Sequence, residues 1–163
     1  MQEADLFVIL SQTQFRKGGY ENRFNVGDKW HTMSVNAGLE PIGLKRYVSV
    51  EKDWGYIKKA FRSKELWRFD KCISSSLFAT NVNIINACKE LLNIDTPLEF
   101  DYLTTLTGTE RLIDLCKHYK ADKYLSGISG KNYLELSKFE DAGIEVIFQD
   151  GSKMIKKALV EVL

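Results

Sequence analysis

Thr109-Glu-Arg-Leu-Ile-Asp-Leu-Cys-Lys-His-Tyr-Lys-Ala-Asp-Lys-Tyr-Leu-Ser126, followed after a short interval by Ile144-Glu-Val-Ile-Phe148, decides the fold class. Leu112, Ile113, Leu115, Cys116 and Tyr119 recur at helical spacing and make one apolar stripe. A helix is expected there, with Thr109 as candidate N-cap and Lys117, His118 and Lys120 suited to the negative pole of its dipole. Lys123 to Ser126 then reads as a strand, Asn132 to Phe139 as a short helix and Ile144 to Phe148 as the next strand. Helix and strand in alternation predict an α/β fold, a mostly parallel sheet with helices packed against it.

Working towards the N-terminus, Leu6-Phe-Val-Ile-Leu10 is a continuous branched apolar run, expected to be a buried strand at the sheet centre. The polar, basic stretch Ser11 to Arg23, with its Gly18-Gly19 turn signal, reads as a loop leaving that strand, where α/β proteins keep their chemistry. Asp28 to Val35 alternates with period two and suggests a half-exposed strand, and another short strand is expected over Lys45 to Val50. Trp54, Ile57, Ala60 and Phe61 share a helical face, and Leu77 to Leu92 continues the pattern. Thr96-Pro97 interrupts it, because the residue before a proline disfavours helix, and an extended piece over Leu98 to Leu103 follows. No linker divides the 163 residues, so one domain over 1–163 is expected.

Composition narrows the function. Twenty-three Lys and Arg against 22 Asp and Glu leave no global basic field of the kind that draws a protein to nucleic acid or anionic lipid. No apolar run approaches the roughly 20 residues that span a bilayer. The acidic start, Met1-Gln-Glu-Ala-Asp5, lacks the basic n-region of a signal peptide, so the cytoplasm is the expected location. Cys72, Cys88 and Cys116 are odd in number and far apart, against a disulfide framework or a Cys-x-x-Cys metal knuckle. Cys88 and Cys116 are expected to be packing residues, with Cys72 at the edge of its segment.

Two loops are candidate ligand sites. In Tyr124-Leu-Ser-Gly-Ile-Ser-Gly-Lys-Asn-Tyr133, glycines at a strand end precede a helix, where free N–H groups favour a phosphate or carboxylate. The spacing matches neither the P-loop nor G-x-G-x-x-G, and Ser129 could equally cap the helix while the glycines make a turn. Gln14, Arg16, Lys17, Asn22 and Arg23 form the second cluster, either a set of anion donors or a solvated basic loop. His31 and His118 have no partners at metal-ligand spacing, and Ser126 and Ser129 lie outside any G-x-S-x-G elbow. Asp101, Glu110, Asp114 and Asp122 are carboxylates that sequence alone does not pair. Trp30, Trp54 and Trp67 read either as core and rim aromatics or as sugar-stacking platforms.

These motifs, in order, resemble the WbqC-like family of bacterial surface-polysaccharide gene clusters. Gln14-Phe-x-Lys17, Asn22-Arg23 and Trp30 are similar to its early block. Arg111 to Lys117, Ala121-Asp122, Tyr124-Leu-Ser-Gly127, Gly130, Tyr133-Leu134, Phe139, Gly143-Ile144 and Phe148-Gln-Asp150 resemble its later ones. Against the family pattern, the opening strand and its Q-P-Y-F-x-P-Y-x-G-Y loop are missing, so the start is expected to be truncated. Ser11-Gln-Thr13 stands where acidic residues are usual, and Trp30-His-Thr-Met-Ser-Val35 replaces W-L-T-V-P.

The resemblance implies transfer of an acyl or aminoacyl group onto an amino sugar or nucleotide-sugar in surface-polysaccharide biosynthesis. It implies that Gln14, Lys17, Asn22 and Arg23, together with Ser126, Gly127, Ser129, Gly130 and Tyr133, face one cleft and hold a phosphate-bearing small molecule, a nucleotide-sugar or activated donor. Asp122 is the expected base for the accepting amine. A non-catalytic nucleotide or sugar-phosphate binding protein and a nucleic-acid binding or modifying protein of a mobile element are the competing readings, the latter disfavoured by the near-neutral charge.

Overall fold

The computed structural model describes residues 1–26, 29–61 and 64–150, and these form a mixed α/β chain in two compact units. The first unit takes in residues 1–100. Its strands are β1 (Phe7–Ile9), β2 (Arg23–Val26), β3 (Lys29–Thr32) and β4 (Leu98–Phe100), and its helices α1 (Val50–Phe61) and α2 (Leu77–Leu91). Short 3-10 helices at Ile42–Leu44 and Lys64–Cys72 precede each α-helix.

β1 and β4 pair in parallel, Phe7 opposite Leu98 and Ile9 opposite Phe100, while β2 and β3 make an antiparallel hairpin. Met33, Tyr47, Trp54, Ile57, Leu66, Phe69, Cys72 and Leu77 form the buried core. Trp54 and Ile57 come from the expected stripe of α1, and the Trp54 indole donates to Asp70 at 2.7 Å. α2 starts where Ser76 accepts the Ala79 N–H at 3.2 Å, and Thr80, fully buried, ties that turn to Ser74.

Three expectations change here. β1 does not lie at the centre of a continuous sheet: among the described residues its ladder has two strands, because each β segment is only three or four residues long. The basic stretch ending at Arg23 is not loop throughout, since Arg23 opens β2 and pairs with Thr32; Asp28 of the expected strand lies outside the described residues. Residues 45–50 do not make a regular strand. Lys45 turns its side chain inward, only single bridges join Arg46 to Ser76 and Val35 to Tyr47, and Val50 already belongs to α1.

The second unit, from Asp101 onward, carries α3 (Gly108–His118), β5 (Lys123–Ser126), a 3-10 helix (Ile128–Asn132), α4 (Leu136–Asp141) and β6 (Glu145–Phe148). β5 and β6 are parallel, with Tyr124 opposite Val146 and Ser126 opposite Phe148, as the alternation predicts. Ile113, Cys116, Leu134, Phe139 and Ile144 form its core, and the Tyr124 and Phe139 rings stack at 5.3 Å.

Thr107 rather than Thr109 occupies the cap position of α3. Thr109 sits one residue inside the helix, is buried, and its hydroxyl accepts the Glu135 N–H at 3.2 Å. The second helix begins at Leu136, four residues later than expected, because Gly127 to Tyr133 is taken up by the 3-10 turn. α4 closes with paired bonds from Gly143 to Glu140 and from Ile144 to Phe139, with Gly143 at φ +71. α3 closes the same way with Lys120 at φ +54 in the glycine position.

Candidate functional site

The sequence-derived site residues divide between the two units. In the first, Gln14 and Lys17 are exposed, Gln14 bridging to Pro41. Asn22 is buried and its amide donates to the Met33 carbonyl at 2.7 Å, pinning the start of the hairpin to the chain that leaves it. Arg23 is half-buried and its guanidinium donates to the carbonyls of Gly18 and Gly19, the latter at 2.6 Å. Its Cζ lies 5.3 Å from the Tyr20 ring centroid and 5.1 Å from that of Trp30. The carbonyl contacts use the Nε–H and one Nη2 N–H of the guanidinium's five donors.

In the second unit, Ser126 is 2% exposed and its hydroxyl donates to the Gly127 carbonyl at 3.1 Å. Gly130 packs directly against it: a Cβ at this position would stand 2.1 Å from Ser126 Oγ. The Gly130 N–H bonds the Gly127 carbonyl at 2.9 Å, so one of the N–H groups expected to face an anion is spent inside the turn. Ser129 and Tyr133 are exposed, and Gly127 has open space around its Cα. Asp122 is exposed on the turn before β5, where its carbonyl accepts the Glu145 N–H at 2.8 Å.

A recess of about 360 Å³ opens in the first unit between β3 and α1, lined by Trp30, His31, Thr32, Asp53, Tyr56 and Ile57. Asp53, Tyr56 and Ile57 lie three and four residues apart and so share one face of α1. His31 stands opposite Phe24 in the hairpin, and Phe24 packs on Trp54 at 5.8 Å between centroids, so this face of the hairpin is the one turned to α1. Trp30 and Tyr56 keep 49% and 59% of their surface exposed; Trp30 alternates with His31 on β3, and its ring meets Tyr20 and Arg23. One Asp53 oxygen accepts the Ser34 N–H at 2.7 Å, and the side chain has no ion pair among the described residues. The recess thus brings together two aromatic residues, a hydroxyl, an imidazole and a carboxylate with no ion pair among the described residues.

A groove of about 340 Å³ in the second unit is lined by Glu110, Asp114, Lys117 and Lys138 among others. Its charges largely answer one another. Lys138 lies 3.1 Å from both Glu110 and Glu135, whose hydrogen bonds hold its ammonium pKa above the usual value, and Asp114 accepts the Tyr102 hydroxyl at 2.5 Å.

Sequence reasoning missed Asp53 and Tyr56, and weighed His31 only as a metal ligand. The available signal was the polar flank of the Trp54–Ile57 stripe, which places Asp53 and Tyr56 beside the core rather than opposite it. Lys45, also missed, is 1% exposed with its ammonium on the Asn36 and Gly38 carbonyls and on Glu40. Its hydrogen bond, followed by that of Asn36, lowers the Glu40 carboxyl pKa. The three thiols are buried or half-buried in the cores, and burial raises the pKa of each. Among the described residues, no helix is long and apolar enough to cross a membrane.

The chain is 33% identical over 169 residues to the uncharacterized protein Rv1507c of Mycobacterium tuberculosis (strain ATCC 25618 / H37Rv), covering 90% of this chain and 72% of that one. No solved structure matches it. The model of the WbqC-like protein family matches residues 1–156, and the chain therefore belongs to the WbqC-like protein family.

Proposed function

We propose that the chain transfers an acyl-type group onto the amine of a sugar, free or nucleotide-linked, in surface-polysaccharide biosynthesis, with the acceptor sugar in the β3–α1 recess. The recess lined by Trp30, His31, Asp53 and Tyr56 is the observation that carries this reading. The apolar face of a pyranose suits the exposed Trp30 and Tyr56 rings. The ammonium form of an amino sugar suits the Asp53 carboxylate, which has no ion pair among the described residues, and neighbouring aromatic rings also attract cations.

In the reaction, the imidazole of His31 takes a proton from the ammonium and the freed nitrogen attacks the acyl carbon of an activated ester or thioester. The nitrogen then gives up its second proton to the departing thiolate or alkoxide, which leaves with its bonding electron pair as thiol or alcohol, and an amide remains. This assignment moves the base from Asp122 to His31, which shares the recess with Asp53. It also does not use Arg23 as a phosphate ligand, since that guanidinium is bonded to Gly18 and Gly19.

Calorimetric titration with glucosamine, N-acetylglucosamine and UDP-glucosamine, followed by a transfer assay with an acyl thioester, tests the reading. The amine-bearing ligands are expected to bind, Asp53→Asn and Tyr56→Ala to weaken them about tenfold, and His31→Ala to suppress transfer with binding kept. Binding without turnover in the unsubstituted protein would favour the non-catalytic alternative, and absence of binding would overturn the site.

A further inference from the structure

We infer that Arg23 is a positioning residue: it straps the Gly18–Gly19 turn to the indole of Trp30 and so sets one wall of the recess. This deepens, and rests on, the reading of the recess as the ligand site. Arg23 pairs with Thr32 and Asn25 with Trp30 across the hairpin, so Arg23 and Trp30 are diagonal neighbours on one face. The guanidinium fixes two things at once. Its edge donates to the carbonyls of Gly18 and Gly19, and its Cζ lies over the Tyr20 and Trp30 rings, which are themselves 5.5 Å apart.

Only a planar fork has donors in its edge and a face for stacking, so lysine keeps the charge and loses the geometry. Trp30 is half exposed and lines the recess, and its ring is held by the Arg23 guanidinium together with Tyr20. A ligand meeting a mobile ring must order it on binding, which lowers affinity. Arg23 therefore governs ligand affinity without touching ligand.

The test follows the Trp30 fluorescence component, obtained by subtracting a Trp30→Phe variant, with acrylamide as quencher, in the wild type, Arg23→Lys and Arg23→Ala. Thermal melts confirm that each variant is folded. Both Arg23 variants are expected to raise quenching of Trp30 and change its near-UV circular dichroism, with lysine no better than alanine. Affinity for UDP-glucosamine is expected to fall about five- to tenfold in Arg23→Lys, and adding this substitution to Trp30→Ala is expected to cost nothing more. Unchanged Trp30 quenching in both variants, or full additivity with Trp30→Ala, overturns the inference. If UDP-glucosamine does not bind the wild type, the functional reading fails while the fluorescence comparison still decides the strap.

Discussion

Replacing Lys45 by methionine removes a buried ammonium while nearly conserving the shape of its stem. In the native chain this group donates to the Asn36 carbonyl at 3.0 Å and the Gly38 carbonyl at 2.9 Å, lies 3.1 Å from Glu40 and sits 5.4 Å from the Phe15 ring centroid. Hydrogen bonds from a charged donor contribute about 1.5–3 kcal/mol each, and carbonyls left dry cost a similar amount. The Asn36–Gly38 stretch is partly exposed and can rehydrate, which discounts the sum to about 2–4 kcal/mol. At roughly 2–4 °C per kcal/mol for a chain of this size, the melting temperature should fall by about 5–15 °C. Urea denaturation followed by far-ultraviolet circular dichroism measures it, and Glu40→Gln should lose less, because that carboxylate is partly exposed. A loss under about 1 kcal/mol for Lys45→Met would refute the view that this ammonium organises residues 36–46.

Gly130→Ala should destabilise by about 1–3 kcal/mol, because the added methyl meets the buried Ser126 hydroxyl and Leu134, and the loss should shrink in a Ser126→Ala background. Lys120→Gly should raise stability by about 0.5–1 kcal/mol by relieving the left-handed position that closes α3; calorimetric melting checks both. The Trp54 indole and then Lys58 hold the Asp70 carboxyl below its usual pKa, so its contribution is present above the unfolded value near ~4 and lost as pH falls through the lower folded value. Asp70→Asn should therefore lose less stability than the wild type when urea midpoints are followed from neutral pH into that acidic window.

Strongly periodic segments were legible in sequence. Trp54 and Ile57, and Ile113 and Cys116, repeat at 3.6-residue spacing and pack as expected, while Lys123 to Ser126 is a strand with its predicted bounds. What failed was decided by side chains acting at a distance. Residues 45–50 read as a strand, but Lys45 is drawn inward to carbonyls seven and nine residues earlier in the chain. Thr109 read as a cap because a threonine before a helix usually is one, and its hydroxyl is used instead by Glu135. The basic cluster around Arg23 read either as a set of anion donors or as a solvated loop, and sequence does not show that two of the guanidinium's donors reach the Gly18 and Gly19 carbonyls. His31, Asp53 and Tyr56 meet only because a hairpin packs on a helix, a juxtaposition that no local pattern contains.

A ¹H–¹⁵N spectrum of the protein titrated with UDP-glucosamine reads the recess itself, through the indole N–H signals together with the backbone amides. The Trp30 indole and amides of residues 29–32 and 53–57 are expected to shift together and saturably, while the Trp67 indole, exposed beneath Arg68 and not lining the recess, stays in place. Shifts confined to residues 126–133, or none at all, would contradict the recess as the ligand site.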